Sequence, residues 1–121
     1  MWICNNDSFV SAVEDKNDNT RLLVRARNKE HLKVLFPDHE IFTNQGTDYA
    51  HRVSCSKEEF AKIISDRILS IKYGNFKNSV EDTRLYDLYA EFWGLHWEYQ
   101  ANLNRPYGYS VNYGYNYGKK K

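Results

Sequence analysis

The chain has 121 residues, room for one ordinary domain but not for two. With 17 Lys and Arg against 16 Asp and Glu and 41% apolar residues, it reads as globular and excludes wholesale disorder. No apolar run approaches the roughly 20 residues a membrane helix needs, and the N-terminus lacks the basic-then-apolar pattern of a signal peptide. The expectation is therefore a cytoplasmic protein with no membrane partner.

Two features are hidden by these averages. Aromatic residues are abundant, with 6 Phe, 3 Trp and 10 Tyr. Charge is also uneven: residues 104–121 carry Arg105, Lys119, Lys120 and Lys121 and no acid, whereas residues 1–103 hold 13 basic and 16 acidic side chains. The sequence divides into a body, 1–103, predicted to be one α+β domain, and a Tyr/Gly-rich basic tail, 104–121.

In chain order, residues 1–5 and 8–14 read as two strands joined by the turn-forming pair Asn6-Asp7. A wholly polar stretch, 15–20, precedes a third strand at Leu22–Arg27. Alternation there puts Leu22, Val24 and Ala26 on a dry face and Leu23, Arg25 and Arg27 on a basic one. Asn28 is a predicted N-cap for a short helix carrying Leu32, Leu35 and Phe36, which Pro37 stops.

Strands at 39–43 and 48–55 follow, joined by Asn44-Gln45-Gly46-Thr47. In the second, Tyr49, His51, Val53 and Cys55 are expected on one face and Ala50, Arg52 and Ser54 on the other, so Arg52 can join Arg25 and Arg27. Ser56-Lys57-Glu58-Glu59 matches a capping box, opening an amphipathic helix whose core face carries Phe60, Ile63, Ile64, Ile68 and Ile71. After a loop at Tyr73–Lys77, a second long helix is predicted from about Glu81 to Gln100. Its ordinary stripe is Leu85, Leu88, Tyr89, Phe92 and Leu95. Tyr86, Trp93, Trp97 and Tyr99 widen it beyond one face, which calls for a second packing partner.

This order of elements predicts a mostly antiparallel sheet of about five strands with helices on one face, a ferredoxin-like arrangement being one option for its topology. Five blocks, Met1-Trp2-Ile3, Phe9–Val13, Leu23–Arg27, Thr47–Val53 and Tyr73–Lys77, together resemble a family of small uncharacterised proteins of bacteria and their phages. The resemblance spans roughly residues 1–100 and implies a shared fold, with no activity attached. The Tyr-Gly tail and the polar insertion at 15–20 depart from the pattern.

Motifs for catalysis and metal binding are sparse. His31, His39, His51 and His96 fall in four different elements, and no phosphate-cradling glycine loop or nucleophile elbow occurs. Cys55 and His51, four apart on one strand, stand ~13 Å apart by strand rise, too far for a nucleophile and its base. Cys4 and Cys55 are too few for a disulfide framework and are expected as inert thiols. The sequence thus predicts a non-enzymatic protein with no metal or cofactor.

Two binding readings remain. The first is a protein-binding module, a phage or mobile-element accessory factor. It would engage a host or virion protein, in the host cytoplasm or the virion, or a second copy of itself. The residues are Tyr86, Trp93 and Trp97 with Tyr107, Tyr109, Tyr113, Tyr115 and Tyr117 of the tail. The alternative is a single-stranded nucleic-acid binder. It would use Arg25, Arg27 and Arg52, with Lys119, Lys120 and Lys121 behind them and the tail rings stacking on bases. The acidic excess of residues 1–103 weighs against the alternative.

Overall fold

A computed structural model describes residues 1–103. The tail candidates Tyr107, Tyr109, Tyr113, Tyr115, Tyr117, Lys119, Lys120 and Lys121 lie outside the described residues. The fold is α+β, and it divides into two compact units, Met1–Ser79 and a second that begins at Val80.

The first unit holds strands β1 (Trp2–Cys4), β2 (Phe9–Glu14), β3 (Arg21–Ala26), β4 (Phe42–Thr43) and β5 (His51–Ser56), with helices α1 (Lys29–Leu35) and α2 (Lys57–Leu69). The turn chemistry works as the residue types suggest. Asn5 and Ser8 exchange backbone hydrogen bonds of 2.8 and 3.4 Å around the two-residue loop Asn6-Asp7. In the polar stretch before β3, Asp15 accepts from the Asn17 amide, and Asp18 accepts from both the amide and the hydroxyl of Thr20. Those Thr20 bonds, the hydroxyl first, hold the Asp18 carboxyl below its ordinary value of 3.8.

The strands form one sheet in the order β1-β2-β3-β5-β4, and every neighbouring pair is antiparallel. β3, α1 and β4 therefore make a split β-α-β unit, with β3 and β4 parallel and β5 between them. A ferredoxin-like sheet would place a final strand, arriving after the second helix, beside the first strand of that unit. Here that position is taken by β2, which arrives by the hairpin before β3, so the ferredoxin-like option does not hold for the connectivity.

One sheet face carries Val10, Ala12, Val24, Ala26, Val53 and Cys55, packed against Leu32, Leu35 and Phe36 at α1 and Phe60 of α2. Both helices of this unit thus lie on one face, as amphipathic patterning requires. Asn28 caps α1 by accepting from the Glu30 amide at 3.0 Å, and the chain leaves the helix at Phe36, before Pro37.

Four local expectations are corrected. The strand predicted at 39–43 shortens to two residues, and the following loop is longer than Asn44–Thr47. Side chains there take backbone groups: Asn44 accepts from the Gly46 amide, and Thr47 donates to the Asn44 and Tyr49 carbonyls. Tyr49 therefore precedes β5 and does not share the face of Val53 and Cys55.

At α2, Ser56 accepts from the Glu59 amide at 3.1 Å, but the Glu59 carboxylate turns to His39 Nε2 at 2.8 Å, so half of the capping box forms. The apolar stripe of α2 is buried only in its first half. Ile68 is 60% exposed and borders an open apolar groove of about 580 Å³ with Met1, Ile3, Leu22 and Ile64; Ile71 lies beyond the helix end.

In the second unit, α3 runs from Thr83 to Ala101. Asp82 is its N-cap, accepting from the Leu85 amide at 2.9 Å. Leu85 and Tyr89 are its buried side chains.

Candidate functional site

The registers of the sheet align five residues in one row across all the strands: Trp2 opposite Ser11, Ser11 opposite Arg25, Arg25 opposite Arg52, and Arg52 opposite Phe42. Residues paired across a sheet share a face. This row lies on the face turned away from α1 and α2, together with Phe9, Val13, Arg21, Leu23 and Ser54. The strands place no Asp or Glu on that face.

The three arginines expected to converge do converge. The guanidinium carbons of Arg25 and Arg27 both lie 4.5 Å from the centroid of the Tyr49 ring. Arg25 also donates to Ser11 Oγ at 2.9 Å, and Arg27 to the Asp48 carbonyl at 3.0 Å. Tyr49 is itself buried, so its ring is a fixed support for two otherwise long, mobile side chains. Its part in the site is not legible in the sequence, because the alternating pattern of 48–55 includes a loop that ends before β5 begins at His51.

Some cations of this unit have carboxylate partners: Lys57 pairs with Glu14 and Arg67 with Asp7, each at 2.8 Å, and Lys33 with Glu30 and Lys62 with Asp66, each at 3.2 Å. Among the described residues, no carboxylate pairs with Arg25, Arg27 or Arg52. Arg25 Nε is buried without a hydrogen bond. Phe42, at the β4 edge of the same row, is 53% exposed.

The charge objection changes with the fold. Residues 1–79 carry 12 Lys and Arg against 11 Asp and Glu, whereas residues 80–103 carry Arg84 against five acids. The acidic excess of the body belongs to the α3 segment and not to the unit that holds the arginines.

The protein-binding candidates within the described residues share a stripe of α3. At roughly 100° per residue, Tyr86, Trp93 and Trp97 fall within about 40° of one another. The indoles of Trp93 and Trp97 stack with centroids 6.1 Å apart and planes 9° from parallel, and they are 58% and 60% exposed. Tyr86 is half-buried. The stripe adjoins the one holding Leu85 and Tyr89, with Tyr89 about 40° from Trp93, so the two together make an apolar sector wider than one ordinary face.

The thiols differ sharply. Cys55 sits in the core, and burial, reinforced by Glu59, pushes its thiol up to about 11; Cys4 is exposed, and the two are not bridged. His51 Nδ1 stands 3.0 Å from Thr43 Oγ1. Among the described residues, no group of three or more His, Cys, Asp or Glu could hold a metal ion, and no helix is long and apolar enough to cross a membrane.

Comparison with protein-family models, with curated proteins and with solved structures found no match. The resemblance of the five blocks rests on those residues alone.

Proposed function

We propose that the protein binds single-stranded nucleic acid on the sheet face that carries Arg25, Arg27 and Arg52. The observation that carries this reading is three arginines gathered on a sheet face whose strands carry no Asp or Glu, two of them against the Tyr49 ring and none in an ion pair among the described residues. Held against the ring, Arg27 stays exposed, and Arg25, whose Nε is buried and whose Nη2 donates to Ser11, offers its remaining Nη1 to a phosphate oxygen. Opposed like charges with no acid between them are balanced by a bound polyanion. Phe42 supplies a ring for an unpaired base in the same row.

A fluorescence-anisotropy titration of the full chain with a labelled oligothymidylate at two salt concentrations tests the reading. Binding that weakens with salt, and that is lost when Arg25 and Arg52 are changed to Gln, supports it. Salt-independent binding, or none at low salt, defeats it.

The stacked, exposed Trp93–Trp97 pair favours a second reading, docking of a protein partner on α3. The five-block resemblance adds a setting for it, a phage or mobile-element accessory protein meeting a host or virion protein or a second copy. Changing Trp93 and Trp97 to Ala should then abolish capture of a partner while the thermal melt is almost unmoved. Unchanged capture removes this reading.

A further inference from the structure

We propose that the ligand is a short single-stranded segment with a footprint of roughly three nucleotides, lying across the strands from β3 over β5 to the β4 edge. The inference rests on the nucleic-acid reading of this face and deepens it. Phe42 is the platform for one base, and Arg52 and Arg25 take successive phosphates.

The limits of the footprint are set by the row itself. On one side β4 is the edge strand and only two residues long, so no sheet surface continues past Phe42. On the other side Arg25 meets Ser11, whose side chain is buried and already bonded to the Arg25 guanidinium. The basic surface therefore ends between β3 and β2. Neighbouring strands stand about 4.8 Å apart, which puts Arg25 and Phe42 about 10 Å apart across β5.

Arg27 flanks this line. It lies beyond the end of β3, outside the row of paired residues, with its guanidinium over the Tyr49 ring and donating to the Asp48 carbonyl, so it adds positive charge beside the line rather than a seat on it. The ring of Phe42 selects single strands, because only an unpaired base offers it a free π-face.

The test is a length series of oligothymidylates, from about two to about twelve nucleotides, titrated against the full chain at several salt concentrations. Affinity per site should stop rising at about three nucleotides, and a duplex should bind more weakly than either strand. Phe42→Ala should weaken binding roughly tenfold without changing the salt slope. Phe42→Leu, which keeps the apolar bulk at the β4 edge, should weaken it as well. Arg52→Gln should reduce the slope of log affinity against log salt by about 0.7.

Affinity that climbs through the whole series, or Phe42 variants that bind like the wild type, overturns the footprint while leaving salt-dependent binding by the basic face intact. Inorganic polyphosphate binding as tightly as the oligonucleotide overturns the base platform. Failure of every oligonucleotide to bind at low salt removes the nucleic-acid reading and this inference together.

Discussion

Arg25 and Arg52 face each other across the β3–β5 ladder, with no carboxylate pairing either among the described residues. Like charges directly opposite in a sheet are destabilising, whereas opposite charges there contribute about 0.2–1 kcal/mol. A fold selected for stability alone would place an acid at one of the two positions.

Arg52→Glu should therefore raise stability by about 0.5 kcal/mol in a urea melt while abolishing oligonucleotide binding. Loss of stability together with retained binding would contradict the reading of the pair.

Tyr49 is the part that turns two arginines into a platform. Its contacts run through the ring face, so Tyr49→Phe should change stability by less than about 0.5 kcal/mol and preserve binding. Tyr49→Ala empties a buried site and should cost about 3 kcal/mol, with weaker binding as the guanidiniums lose their support. Urea denaturation followed by anisotropy on the folded variants measures both effects.

Much of this site was legible from the chain itself. Alternation in Leu22–Arg27 assigned Arg25 and Arg27 to the face opposite Val24 and Ala26, and the same reasoning brought Arg52 to them. What escaped was the loop before β5. Asn44, Thr47 and Asp48 divert backbone hydrogen bonds to side chains, which ends the strand pattern and moves Tyr49 to the arginine face. The row linking Phe42 to Arg52 was equally hidden, because it depends on a strand order no single sequence specifies. The exposed second half of the α2 stripe could not be foreseen either, since periodicity reports a face and not how much of it finds a partner.

Cys55 gives a pH signature of the core. Its folded value, about 11, lies above its ordinary 9.0, so on raising the pH the unfolded chain loses its thiol proton first and stability falls between those two values. Cys55→Ala should remove that portion of the pH dependence in urea melts compared with wild type. In the native protein a thiol reagent at neutral pH should label Cys4 and spare Cys55 until the chain unfolds. Rapid native labelling of Cys55 would contradict the packing described for β5.

The most direct measurement of the central claim is an NMR titration of the full chain with a tetrathymidylate, observing the arginine Nε–H and indole N–H signals. The account predicts that Arg25, Arg27 and Arg52 shift together with the amides around Phe42, in a salt-dependent manner. Shifts confined to the indoles of Trp93 and Trp97, with the three arginines unmoved, would contradict it.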